Sequence, residues 1–261
     1  MRLFGLAGKT VIIDEVHAYD AYMMKLMERL LEWLAALGCG VVLLSATLPN
    51  KKRHDLVKAF AAGLRRNEPK REDKLYPRLT WVSRTYSGVE HFPASTQFSR
   101  TILYEWVNGA LPTATSQVFT LGVRLQKALA DGGCAAVICN TVSRAQEVFR
   151  ALKPFFSGQD VDDGQHELNL FHARFLYDDR EQREGQALRR FGKPNDPKVK
   201  RPRRAVLVAT QVIEQSLDLD FDLMVTEMAP VDLILQRAGR LHRHNRPRPE
   251  RLNTKLQSND N

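Results

Sequence analysis

Only three cysteines occur in 261 residues: Cys39, Cys134 and Cys139. They are odd in number, sit among apolar neighbours and lack metal-like spacing, which excludes a disulfide framework and a zinc site. They read as reduced core thiols, and a cytoplasmic location follows. The sequence has no apolar run long enough to cross a bilayer and no signal peptide, so no membrane partner is expected. A phosphate-binding loop is lacking too. Gly8-Lys9-Thr10 spells the end of one, but such a loop needs a glycine five residues before Gly8, where Leu3 stands. It also needs a helix after it, whereas Val11 onward looks like a strand. The expectation is a chain that begins partway through a motor domain.

What is present starts with charge. Lys and Arg number 39 against 30 Asp and Glu, a net +9 that favours a polyanionic partner, nucleic acid first. The length suits two ordinary domains. Residues 11–17 read VIIDEVH, a continuous apolar run of the kind that forms a parallel strand covered on both faces. In open α/β sheets chemistry collects at the carboxyl ends of the strands, where Asp14 and Glu15 emerge. Asp14 is placed to hold Mg²⁺, and Glu15 to share that metal site and to orient or deprotonate a water. His17 is placed to link a nucleotide site to the neighbouring domain. The competing reading is a strand followed by a helix capped by Asp14 or Asp20.

Met24, Met27, Leu30, Leu31 and Leu34 recur at helical spacing over residues 21–37, and Gly38 to Gly40 ends that helix. A second buried strand over 41–44 delivers Ser45, Thr47 and Pro49, and a helix follows over 51–64. Residues 65–78 read as a surface excursion, 79–83 and 101–106 as strands, and 109–116 as a linker. Beyond it, strand and helix alternate, which predicts a mostly parallel sheet with right-handed crossovers. The expected strands are 135–139, 168–171, 205–209 and 223–226; the helices are 117–130, 143–152, 178–191 and 231–239. The basic run KPNDPKVKRPRR at 193–204 reads as a solvated loop, with phosphate contact as the alternative, and 245–261 as a frayed polar tail. Helical spacing places Gln236, Arg240 and Arg243 near one face, suited to reaching a phosphoryl group in transit. The alternative is a basic surface helix with Arg237, Arg240 and Arg243 in solvent.

The ordered set DEVH, SATLP, NTVSRAQ, HARF, VATQVIEQSLDLDFD and QRAGRLHRH resembles superfamily 2 helicases. More narrowly, it is similar to the CRISPR-associated helicase-nuclease recruited by Cascade in type I immunity. The resemblance runs from about Lys9 to Pro249. It implies an α/β fold of two RecA-like domains with mostly parallel sheets, the first N-terminally incomplete. The domains would occupy residues 1–112 and 113–250, followed by a polar tail at 251–261. It also implies ATP and Mg²⁺ as cofactors, and single-stranded DNA and a Cascade-type effector complex as partners. Translocation would run 3′ to 5′.

By motif match, Asp14 and Glu15 correspond to the magnesium and water-activating acids, and Ser45 and Thr47 couple hydrolysis to DNA movement. Asn140, Thr141, His172, Arg174, Thr210 and Gln211 fall where the second domain meets DNA phosphates. Asp218 matches a position near the nucleotide ribose, and Gln236, Arg240 and Arg243 the arginine-finger motif. His242 stands where many superfamily members have glycine.

The family's HD nuclease residues, phosphate loop, early DNA-contacting motifs and C-terminal accessory domain have no counterpart in these 261 residues. Weak or no ATP hydrolysis by the chain alone is therefore expected, along with an exposed strand edge and apolar helix faces that a nuclease and phosphate-loop portion would complete. Two other classes compete: a non-catalytic RecA-like scaffold that binds DNA or protein, and a motor from a restriction or repair complex.

Overall fold

A computed structural model of the chain describes residues 2–16, 19, 21–45, 48–67, 76–93, 101–107, 115–158, 165–214 and 217–252. His17 and Thr47, both expected to serve the site, lie outside these residues. The chain divides into two compact units, Met1–Arg100 and Thr101–Asn261. Both are α/β, and their principal sheets are parallel.

In the N-terminal unit, β1 (Thr10–Ile13) pairs in parallel with β2 (Gly40–Leu43), and α1 (Ala21–Ala36) connects them. The apolar stripe of α1 buries Met24, Met27, Leu31 and Leu34. Leu56 of α2 (Asn50–Gly63) packs into the same core, with Ile13, Val41 and Leu43 against it. Helix α1 stops because Gly38 adopts φ 72°, the left-handed conformation that a side chain would strain. The amides of Gly38 and Cys39 then turn back onto the carbonyls of Ala35 and Leu34.

The sheet corrects one expectation. Val11 and Ile13 face the helices, but Ile12 is 65 % exposed and pairs with Val42, itself 42 % exposed. Only one face of β1 is covered within this unit, because α1 and α2 both pack on the same side. Tyr22, Leu26 and Trp33 on α1 are exposed as well.

Strand β3 (Arg78–Val82) forms where the sequence places it, but as one arm of an antiparallel hairpin with β4 (Ser87–His91), which the sequence did not signal. Strand β4 carries a single β-branched apolar residue, Val89. Its Gly88 is there for space: a Cβ at that position would lie 2.4 Å from the Trp81 ring. The expected strand at 101–106 does not form. Ile102, Leu103, Tyr104 and Trp106 are exposed, so no neighbouring layer repays an extended ladder there.

The C-terminal unit is a four-stranded parallel sheet in the order β6-β7-β5-β8. Its strands are β5 (Gly133–Ile138), β6 (Leu168–Phe171), β7 (Arg204–Ala209) and β8 (Leu223–Thr226). Helices α3 (Thr115–Ala128) and α4 (Val142–Leu152) flank one face, where Leu125, Leu129, Val148 and Leu152 meet Ala135, Val137, Val206 and Val208. On the other face, Ala187 and Phe191 of α5 (Tyr177–Phe191) meet Ala136, Ile138, Leu207 and Phe221. Being covered twice is why β5 is buried at every position and reads as unbroken small and branched apolar residues. The last helix, α6, spans Val231–Ala238.

The basic run is a loop, exposed over residues 193–198 as expected, but it is tied down at its ends. Lys193 pairs with Asp218, Arg201 with Asp222 and Arg204 with Glu167. The start of the tail is not frayed, since Arg246 and Arg248 bury their side chains to 5 % and 4 % exposure. Carboxylates inside the unit draw these charges in, and composition alone does not reveal such partners. Residues 253–261 lie outside the described set.

Candidate functional site

The carboxyl end of β1 delivers Asp14 and Glu15, both exposed. Glu15 holds φ 54°, uncommon for a residue with a side chain, and its amide donates to Asp14 Oδ1 at 2.8 Å. The amide of Val16 reaches the Leu44 carbonyl at 3.2 Å, so the turn is fastened to the end of β2 beside Ser45. The backbone thus bends sharply enough to present both carboxylates outward from a strand end. Strain of this kind gathers at functional sites. Among the described residues no three His, Cys, Asp or Glu side chains converge as a metal cage.

In the C-terminal unit the strand ends converge. Asn140 follows β5, its amide donating to Glu227 Oε2 at 2.6 Å and its side chain to the Met228 carbonyl at 2.7 Å. Thr141 caps α4, its hydroxyl oxygen accepting the Arg144 amide at 3.2 Å. Thr210 is buried at the end of β7, while the exposed Gln211 donates to the Asn140 carbonyl at 3.2 Å. Asn140, Thr141, Thr210 and Gln211 therefore share one rim of the sheet.

His172 is 3 % exposed and lies flat against Phe175, ring centres 4.0 Å apart, and the Arg183 guanidinium sits 4.0 Å from the Phe175 centroid. Burial pushes its pKa below the ordinary histidine value, so the ring is neutral at neutral pH. It shapes the turn from which the exposed Arg174 projects.

The arginine segment departs from a helical row. Helix α6 ends at Ala238; from there residues 240–244 run beside 218–222, with Phe221 and Leu241 bridged in parallel. Gln236 keeps its place on the helix, and its Nε2 is buried without a hydrogen-bond partner among the described residues. Arg240 is 9 % exposed and donates to the Glu214 carbonyl at 2.7 Å. Arg243 is 40 % exposed at its side chain, and its Nε donates to Asp218 Oδ1 at 2.5 Å. Asp218 also receives His244 and Lys193. Burial alone would raise the pKa of Asp218, but these partners hold it below the usual carboxylate value. His242 has φ 47°, a backbone region that favours glycine, and its amide is tied to the Phe221 carbonyl at 2.9 Å.

A family profile described as "CRISPR-associated nuclease/helicase Cas3, C-terminal" matches residues 131–246. The "CRISPR-associated endonuclease/helicase Cas3" of Thermus thermophilus is 38 % identical over 96 % of this chain and 29 % of its own length. A crystal structure of T. fusca Cas3-AMPPNP matches 97 % of this chain and 29 % of that one at 39 % identity and a TM-score of 0.84. This chain corresponds to part of these Cas3 proteins. A "CRISPR RNA-guided surveillance complex, pre-nicking" contains a chain of which 30 % matches 94 % of this one, at 38 % identity and a TM-score of 0.77. The chain thus spans under a third of the length of the Cas3 relatives it matches.

Within that Cas3 framework the residue the sequence reading missed is Arg237, which only its alternative reading placed, in solvent. Arg237 is 1 % exposed. It donates to Glu214 Oε1 at 2.6 Å, Thr226 Oγ1 at 2.6 Å, the Glu227 carbonyl at 2.9 Å and Asn140 Oδ1 at 3.2 Å. It therefore joins the ends of β5 and β8 to the turn after β7. Periodicity marks it as buried only if its acceptors are known, and they lie 10 to 97 residues away in sequence. Burial pushes the Cys134 and Cys139 thiols up to about 12, so neither is a nucleophile or ligand at neutral pH.

Asp222 yields a pH prediction. Burial opposes its charge, but Arg201, the Cys134 amide and Arg248 together hold its pKa below the usual value. A depressed carboxylate stabilises the fold above its unfolded pKa, about 3.9, and that contribution is lost as pH falls from there toward the folded value. Urea midpoints of the chain should therefore drop below about pH 4. Asp222→Asn should lower stability at neutral pH and flatten that acid limb; an unchanged acid slope would refute the assignment.

Proposed function

We propose that the chain is the helicase portion of an ATP-dependent 3′ to 5′ single-stranded-DNA translocase that acts with a Cascade-type effector complex in CRISPR defence. The observation that carries this reading is the strained Glu15 turn, which presents two adjacent carboxylates at a parallel strand end. The fit of a nucleotide is supported by Gln236 Nε2, a buried donor with no acceptor among the described residues. The AMPPNP of the T. fusca Cas3-AMPPNP structure supports the same choice of ligand. The surveillance complex supports the partner.

In this reading Asp14, with Oδ2 outside its contact to the Glu15 amide, would hold Mg²⁺. Bound there, the ion would neutralise charge on the phosphoryl oxygens. Glu15 orients the attacking water and takes its proton. Gln236 offers its amide to the nucleotide, and the exposed Arg243 guanidinium swings from Asp218 to the transferring phosphoryl group. The rim of Asn140, Thr141, Thr210 and Gln211, with Arg174, holds DNA through its phosphates without reading bases.

The test is a completed motor, made by supplying this chain with a phosphate-loop-bearing segment of a Cas3 relative. ATP turnover should appear, rise with single-stranded DNA, and vanish in Glu15→Gln while nucleotide binding persists. DNA affinity should weaken with salt. DNA binding with no turnover under any of these conditions would instead favour a non-catalytic scaffold.

A further inference from the structure

Arg246 and Arg248 lie outside the arginine segment, yet they are among the most buried charges in the C-terminal unit. Both reach Asp220, whose carboxylate is 0 % exposed. Arg248 Nη2 donates to both Asp220 oxygens at 2.9 Å, and its Nη1 to Asp222 Oδ1. Arg246 Nε lies 2.7 Å from Asp220 Oδ2, and its Nη2 donates to the Gly192 carbonyl at 2.5 Å. Arg201 completes the cluster, donating to the Asp220 carbonyl at 2.9 Å and Asp222 Oδ2 at 2.7 Å. Three guanidiniums thus enclose two carboxylates inside one unit.

The cluster has one outward connection of consequence. Asp220 Oδ1 also accepts the backbone amide of Arg243 at 2.8 Å. The residue before it, His242, sits at φ 47° with its Nε2 3.1 Å from the Asp222 carbonyl. The point from which the Arg243 side chain departs is therefore set by a carboxylate that Arg246 and Arg248 hold in place. Arg248 spans both aspartates with one planar fork, which a lysine cannot do.

We propose that Arg246 and Arg248 are positioning residues for phosphoryl transfer: through Asp220 they fix the backbone of Arg243, so that its guanidinium meets the phosphoryl group in register. The proposal rests on the ATP-site reading above. A displacement of about 1 Å at a reacting group costs on the order of 100-fold in rate. Arg248→Lys keeps the charge and loses the fork.

In the completed motor, Arg248→Lys is expected to lower kcat by roughly tenfold or more while leaving the KM for ATP within about twofold. In an Arg243→Ala background the same change should cost nothing further, because its effect passes through Arg243. Amide hydrogen exchange on the full chain supplies an independent readout: Arg243 should lose protection in the variant while β5 and β7 keep theirs. Arg246→Lys serves as the second variant should Arg248→Lys fail to fold. An unchanged kcat in a folded variant, or a loss that adds fully to that of Arg243→Ala, would overturn the positioning role. Failure of the ATP-site reading looks different: Arg243→Ala itself would then leave turnover intact.

Discussion

ATP turnover by the completed motor is expected to fall roughly a thousandfold when Arg243 is replaced by alanine, the scale of a lost arginine finger. Its stability should hardly change. In this structure the Arg243 side chain is 40 % exposed and pairs with a partly exposed Asp218, and such pairs contribute at most about 1 kcal/mol. A thousandfold rate loss corresponds to about 4 kcal/mol of transition-state stabilisation. The two effects therefore separate cleanly by assay: kcat collapses while the melting temperature stays within a few degrees. Arg243→Lys should recover only part of the rate, because an ammonium keeps the charge but not the two parallel donors. Arg240 behaves differently. It is 9 % exposed and bonds the Glu214 carbonyl, so its loss should lower both turnover and stability.

Arg237→Ala should produce the largest loss of stability, about 3–5 kcal/mol in urea unfolding, because it leaves a buried charge uncompensated. Glu214, with 2 % of its side chain exposed, loses its ion partner, and Asn140 and Thr226 lose a donor. Burial already pushes Glu214's pKa up against the opposing pull of Arg237, so removing the guanidinium should raise it further. A carboxyl with a folded pKa above its unfolded one destabilises progressively as pH rises past the unfolded value, about 4.3. The variant should therefore be least impaired in mild acid. Glu214→Gln added to Arg237→Ala should recover part of the loss. Equal penalties at pH 5 and pH 8, with no recovery in the double variant, would remove Glu214 from the account.

Strand ends were legible in the parallel sheet of the C-terminal unit. Strands β6 and β8 begin and end at the expected residues, and β5 and β7 within two. Continuous apolar runs such as VLVA leave little alternative. β1 also lies where the VII run puts it, but its half-exposed surface did not follow from the sequence. Coverage depends on which elements pack nearby, and α1 and α2 both chose one side.

The arginine segment was legible as chemistry and misleading as geometry. The helix ends within one residue of its expected end at Gly239, so the helical spacing that grouped Arg240 and Arg243 with Gln236 does not continue past it, and the chain turns through a left-handed His242. The backbone carbonyls of Phe221 and Asp222, 21 and 20 residues before His242, hold that turn through the His242 amide and ring. Such long-range partners also account for the hidden roles of Arg237, Arg246 and Arg248. A charged residue is surface by default, and only the carboxylate that meets it decides otherwise.

The most direct test of the central claim is the structure of the completed motor with AMPPNP and single-stranded DNA bound. The account predicts that the Arg243 guanidinium has left Asp218 and lies within hydrogen-bonding reach of the γ-phosphoryl group. A bound nucleotide with Arg243 still paired with Asp218 would contradict it.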